Sequence, residues 1–307
     1  MRDAFVRRLV ELAEADPRIF LITGDLGFGV LTDFAKRFRK QFLNVGVAEQ
    51  NMIGVATGLA LEGRIVFVYS IANFPTLRCL EQIRNDACYH DANVKIVAVG
   101  GGFSYGSLGI SHHATEDIAI MRALPGMTVV VPGDEWEATE ATSAVAARPG
   151  TCYLRLDKSK AEATHQEGDR FQLGGIRTAR QGKDVALICS GGILGVGLRS
   201  ADILATKGVE CGVLSVHTVK PLDREVLFQA ARSSGAIVTL EEHTVEGGLG
   251  GAVAEVLLEA GTVPRRFLRL GLANEFSSVV GSQDFLRMHY GLDETTVADR
   301  VLELIRN

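Results

Sequence analysis

No apolar run in this chain approaches the ~18 to 20 residues that a membrane-spanning helix needs. The first residues, MRDAFVRRLVEL, read as an amphipathic helix rather than a cleavable export signal. A cytoplasmic protein without a membrane partner is expected. Basic residues are dispersed and the formal net charge is -5, so no positive stripe offers itself to nucleic acid. The five cysteines, Cys79, Cys88, Cys152, Cys189 and Cys211, lack metal-type pairing and sit mostly in apolar stretches, as reduced core residues do. GGLGG at 247–251 opens a helix after a strand, but its spacing is not the dinucleotide fingerprint. Its glycines are read as permitting close helix–strand contact. No cluster of acids and amides offers the oxygen cage of a hard divalent cation, and no metal ligand is assigned.

What is present is an alternation of helical and strand patterns. With 307 residues, 47% hydrophobic and 22% charged, the chain suits two domains of ordinary size. A helix over 2–15 precedes the apolar run IFLIT. Further β-rich runs, RIVFVYS at 64–70, VKIVAVGG at 94–101, TVVVP at 128–132 and CYLRL at 152–156, alternate with helical segments around 76–90, 115–124 and 134–147. Apolar strands interleaved with helices imply α/β architecture with parallel sheets covered on both faces. A polar stretch breaks the alternation, and a second α/β set follows. The division expected is a first domain over 1–160, a linker over 161–182 and a second domain over 183–307.

The organising stretch is NVGVAEQNMIGVATGLALEG at 44–63. One acid, Glu49, opens a segment rich in Ala, Gly, Leu and Ile, with apolar positions at helical spacing and nothing charged until Glu62. An acid in a first helical turn gains from the helix dipole. Glu49 is therefore read either as a helix-start residue or as a placed acid, with Gln50 and Asn51 as amides able to orient a ligand.

This stretch resembles the pyrimidine-binding domain of the transketolase family, and EEHTVEGGLGGAVAEVL resembles the family's C-terminal domain. The resemblance implies two parallel-sheet α/β domains and dependence on thiamine diphosphate. The matching glutamate there shares a proton with a ring nitrogen of the cofactor's aminopyrimidine, which places Glu49 as the catalytic, cofactor-binding acid. Gly24-Asp25-Leu26 after the first strand resembles the family segment whose acid lies near the thiazolium and whose aliphatic residue props the bent cofactor, so Asp25 and Leu26 join Glu49 and Gln50 as cofactor residues. GISHHATEDIAIMRALPGMTVVVP at 109–132 resembles the family's substrate-contacting histidine segment. His112 falls at that position, with His113 beside it, and Glu116 and Asp117 are expected to cap the next helix. Arg78, Lys158 and Arg2 match positions where relatives hold an acceptor's phosphate, although Lys in place of Arg loses the two-pronged geometry.

The likeness covers only the latter part of a full-length transketolase. The G-D-G segment that holds the diphosphate through a metal is missing, so a partner N-terminal, diphosphate-binding subunit is expected to carry Mg2+ or Ca2+, the assembly being a homodimer of heterodimers. Three departures stand out. Ala72 and Pro75 occupy the positions of the family's stacking aromatics, leaving Phe74 for that role. Gly106-Ser107-Leu108 replaces a G-E-D, and Gly100 and Gly29 replace a histidine and a serine of the phosphate site. The function expected is the C-terminal subunit of a split transketolase, moving a two-carbon ketol unit from a ketose to an aldehyde. The alternatives are a beta-type subunit of another thiamine diphosphate enzyme, of the 2-oxo acid dehydrogenase or acyloin/deoxyxylulose-phosphate synthase type, or a non-catalytic partner.

Overall fold

The structure is a computed structural model that describes residues 1–158 and 163–306. Positions 161 and 162 of the expected linker lie outside the described residues.

The chain builds two sheets. The first contains β1 (Ile19–Thr23), β2 (Phe42–Asn44), β3 (Ile65–Ile71), β4 (Val94–Val99), β5 (Thr128–Val130) and β6 (Cys152–Leu156). The second contains β7 (Arg177–Arg180), β8 (Val185–Ser190), β9 (Cys211–Ser215), β11 (Ala236–Thr244) and β12 (Phe267–Leu272), while β10 (Thr218–Lys220) leaves it to pair with β5. The orders are β10-β5-β6-β4-β3-β1-β2 and β12-β11-β8-β9-β7. Pairing is parallel except at two edges, where β10 and β7 run antiparallel. The expected parallel α/β plan therefore holds for every inner strand. Central strands such as VKIVAV and VALICS are buried on both faces, and this is why they read as continuous apolar runs rather than alternating ones.

Helices cover both faces of the sheets. In the first half these are α1 (Arg2–Ala15), α2 (Thr32–Arg37), α3 (Glu49–Leu61), a short α4 (Leu80–Gln82) that widens into a π-helical turn at Ile83–Cys88, α5 (Asp117–Ala123) and α6 (Glu135–Ala147). The second half adds α7 (Leu194–Thr206), α8 (Arg224–Ser233), α9 (Leu249–Glu259), α10 (Gln283–His289) and α11 (Glu294–Arg306). In α3, Met52, Ile53, Ala56, Thr57 and Ala60 face the core at helical spacing, and each fully buried Ile or Met contributes roughly 1.5–3 kcal/mol. That burial orients the helix and, with it, the acid at its start.

The stretch expected as linker carries β7 at its end, which pairs with β9. Arg177 on that strand reaches back to Glu137 of α6 at 2.7 Å. Lys220 of β10 donates to the carbonyls of Arg122 (2.8 Å) and Leu124 (2.6 Å). The two halves are thus joined through backbone and buried charge. Among the described residues no helix is long and apolar enough to cross a membrane.

Candidate active site

In parallel α/β sheets the carboxyl ends of the strands are where ligands gather, and the first sheet leaves those ends open. β1 ends at Gly24-Asp25, with Asp25 in the left-handed region at φ 60. Its amide donates to Asn44 Oδ1 at 2.9 Å, and Asn44 Nδ2 donates back to Asp25 Oδ1 at 3.2 Å. Gly24 is needed for proximity: a Cβ there would lie 3.2 Å from the Gly46 carbonyl and 3.7 Å from Glu49 Cγ. The end of β1 therefore abuts the start of α3. Leu26 is half-buried, and its carbonyl accepts from Thr23 Oγ1 at 3.1 Å.

Glu49 is the first residue of α3 and only 5% exposed. With Val47, Ala48, Gln50, Asn51 and Arg78 it lines a cavity of about 410 Å³. Arg78 Nη1 meets Glu49 Oε1 at 3.2 Å, and the Arg78 guanidinium carbon stands 4.2 Å from the centroid of the Phe74 ring. Ala72 and Pro75 are buried, so neither offers a surface to a ligand, whereas Phe74 is half-buried with an accessible side. Its ring meets His112 edge-on at 5.2 Å.

His112 bonds Ser111 Oγ through Nδ1 at 2.9 Å, leaving Nε2 without a partner among the described residues. Burial, then the neighbouring His113 and Arg78, hold its pKa below the usual imidazole value, which favours a neutral ring. His113 differs from expectation. It is 1% exposed, its Nε2 bonds the Gly106 carbonyl at 3.0 Å, and its ring packs on Phe103. It braces the loop from behind and does not face the opening. Asn73 Nδ2, donating to the His113 carbonyl at 2.6 Å, ties this loop to the end of β3.

Beyond His112 lies Tyr105, which sequence reasoning missed. Its ring is 6.1 Å from His112, and Lys158 Nζ sits 4.7 Å from its centroid. Arg2 is within electrostatic reach of Tyr105 and pairs with Asp3 at 2.9 Å. The signal was Gly100: any Cβ there would collide with the Tyr105 ring. The position lacking the family's histidine is filled by a phenol from five residues further on. A continuous row therefore runs from Glu49 through Arg78, Phe74, His112 and Tyr105 to Lys158 and Arg2.

Other expectations are corrected. Glu116 occupies the N-cap of α5, but its side chain accepts from Thr115 Oγ1 (2.7 Å) rather than capping the helix. Asp117 turns inward to Tyr153 and to Arg155 Nε at 2.9 Å. Gly247–Gly251 do lie against a strand: Gly250 has no room for a Cβ beside Thr239 Oγ1. The first amides of α9, at Leu249 and Gly250, both donate to the Glu241 carboxylate. An anion site there is already filled by the protein. Four of the cysteines are buried, Cys88 is half-buried, and all are free. Burial pushes the Cys79 and Cys211 thiols up to about 12, so they are unreactive. Among the described residues no group of three His, Cys, Asp or Glu could hold a metal ion.

Fold and site together define an α/β subunit that presents one buried carboxylate, one aromatic face and one neutral imidazole at the open ends of parallel strands. These groups fit the aminopyrimidine half of a bent cofactor, and nothing beside them among the described residues fits its metal-bound diphosphate. The transketolase pyrimidine-binding domain matches residues 1–163 and the transketolase C-terminal domain matches residues 174–297. The chain is 36% identical over 307 residues to an apulose-4-phosphate transketolase subunit of Phocaeicola vulgatus, covering 99% of this chain and 97% of that one. It is 39% identical over 296 residues to a 6-deoxy-6-sulfo-D-fructose transketolase subunit of a Clostridium species, covering 95% and 90%. A solved structure titled as a split-gene transketolase, inactive beta4 tetramer, superposes with a TM-score of 0.91 at 38% identity, covering 99% of this chain and 98% of that one. The chain belongs to the transketolase family and corresponds to the C-terminal subunit of its split members. The family is a thiamine-diphosphate-dependent one.

Proposed function

We propose that this chain supplies the pyrimidine-binding half of a two-subunit transketolase that moves a two-carbon ketol unit from a ketose to an aldehyde. A partner N-terminal subunit holds the diphosphate through Mg2+ or Ca2+, in a cytoplasmic homodimer of heterodimers. The cofactor, when bound, supplies the carbanion chemistry. The division between its two domains falls ahead of β7, because β7, inside the stretch expected as linker, already belongs to the second sheet.

The observation that carries this reading is Glu49, nearly buried at the first turn of α3 and facing a cavity beside the Phe74 ring. Glu49 exchanges a proton with the aminopyrimidine nitrogen. Phe74 supplies the stacking face in place of Ala72 and Pro75, while Gln50, Asp25 and Leu26 border the cofactor's bend. His112 donates or accepts a hydrogen bond at the substrate oxygen through its free Nε2, and His113 positions the loop. Arg2, Lys158 and Arg78 hold the anionic end of a substrate. The two relatives above are named for substrates bearing a phosphate and a sulfonate, which supports an anionic sugar as the class. Nothing specific favours the decarboxylating alternative.

The test combines this chain with its N-terminal partner, thiamine diphosphate and Mg2+, and measures ketol transfer. Glu49→Gln is expected to lower kcat by about 10²-fold or more, the scale of losing a positioned proton carrier. Equal activity in wild type and variant, or no activity in the wild-type mixture, rejects the reading.

A further inference from the structure

One side chain holds both contacts that a pyrimidine ring would need. The Arg78 guanidinium lies over the Phe74 ring with its carbon 4.2 Å from the centroid, and it donates to Glu49 Oε1 at 3.2 Å. A flat aromatic heterocycle bound in the manner proposed above would stack on that same ring and hydrogen-bond that same carboxylate. Two planar groups cannot share the slot, since stacked rings pack in direct contact.

We propose that Arg78 is a placeholder for the aminopyrimidine: before cofactor binds, its guanidinium fills the ring slot between Glu49 and Phe74. It leaves when the cofactor enters, and the freed cation then faces the acceptor's anionic group. The proposal rests on the functional reading above.

Three features support the exchange. Glu49 is enclosed, and an enclosed carboxylate without a partner is costly; Arg78 supplies that partner. The guanidinium is planar and stacks on aromatic faces, as a lysine ammonium would not. Departure is easy, because the Arg78 side chain is 51% exposed and is held among the described residues only by Glu49 and Phe74. The structural arginines differ. Arg155 and Arg177 are almost fully buried and each is fixed by several acceptors. Arg78 also stands next to His112 through Phe74, so a swing away from Glu49 delivers its charge along the row that ends at Tyr105, Lys158 and Arg2. Cofactor binding would then expose a cation needed only once the cofactor is in place.

The experiment is calorimetric titration of thiamine diphosphate with Mg2+ into the two-subunit assembly, using wild type, Arg78→Met, Glu49→Gln and the double variant. Arg78→Met keeps length and removes charge and plane; it is expected to bind the cofactor roughly three- to tenfold more tightly, the scale of one half-exposed ion pair plus a cation–π contact. The gain should shrink in the Glu49→Gln background, because the two changes act on one contact. Arg78→Met should also lower the melting temperature of the subunit before cofactor is added, and Arg78→Lys should recover less than half of the affinity gain. An unchanged or weaker Kd in Arg78→Met, or an equal gain in both backgrounds, overturns the placeholder. If Glu49→Gln alone leaves both Kd and ketol transfer at wild-type level, the functional reading itself fails, whatever Arg78 does.

Discussion

Two enclosed acids stand at helix starts, one in each half of the molecule, and they meet opposite fates. Glu49 opens α3 and faces a cavity, its carboxylate paired among the described residues only with a half-exposed arginine. Glu241, near the end of β11, accepts the first two amides of α9 at 2.6 and 2.8 Å and is shut away from solvent. Burial pushes the Glu241 carboxyl up to about 7, even though those amides favour its charge. In both cases a helix dipole attracts the acid. What separates an available acid from a structural one is whether the protein itself uses up the carboxylate's hydrogen-bonding capacity. The first sheet leaves its strand ends unfilled; on β11 the second sheet plugs them.

That contrast can be broken or sharpened by substitution. After Glu49→Gln, the largest effect is expected for His112→Ala, which removes the free imidazole of the open half. Ketol transfer should fall about 10- to 100-fold in kcat/KM with the thiamine diphosphate Kd unchanged; steady-state kinetics alongside titration will check it. A weakened Kd would move His112 from substrate to cofactor.

Glu241→Ala should do the reverse. Stripping the acceptor from two buried amides should cost about 2–3 kcal/mol of stability, read by urea unfolding, with the cofactor Kd intact. If affinity collapses while the assembly stays folded, the closed acid is not merely structural.

A smaller effect separates the halves by pH. Burial lowers the pKa of His217 and of His243 from 6.5 to about 4. A base whose folded pKa is depressed contributes stability above its unfolded pKa and loses it as pH falls toward the folded value. Glu241, raised from 4.5 to about 7, opposes this, because its stability is lost as pH rises through that window. The two imidazoles by themselves give a drop in stability as pH falls from about 6.5 to about 4, while Glu137 and Asp157, also raised by burial, join Glu241 in opposing it. His217→Gln should remove on the order of 1–2 kcal/mol of that drop, visible as a flatter dependence of melting temperature on pH. An unaltered slope would mean that His217 does not titrate there.

Much of this was legible beforehand because apolar periodicity and helix-start chemistry are local. IFLIT, CYLRL and the 2–15 helix occupy the bounds expected of them. The EQN run begins its helix where the acid predicted it. Other features were hidden because their causes lie far away in the chain. Adjacent histidines look alike in sequence, yet His113 is drawn inward by the Gly106 carbonyl while His112 stays at the opening. Asp117 resembles a helix cap in the sequence, but Arg155 and Tyr153, from β6, take its carboxylate into the interior. Tyr105 gave no motif; only the absence of a side chain at Gly100 makes its place. β9 and β10 lie two residues apart in sequence, yet the chain leaves the second sheet after Ser215 and pairs from Thr218 with β5 of the other half.

Sequence alone determined the alternating α/β plan and the acid at the start of α3, because strand and helix periods and a helix-start carboxylate are written in consecutive residues. Tertiary structure alone decided which of the acids and histidines stay available, that Phe74 rather than its neighbours shows a ring, and that Arg78 covers it. Availability is a matter of who else reaches a group through space, and those partners come from strands and helices that the order of residues does not place side by side.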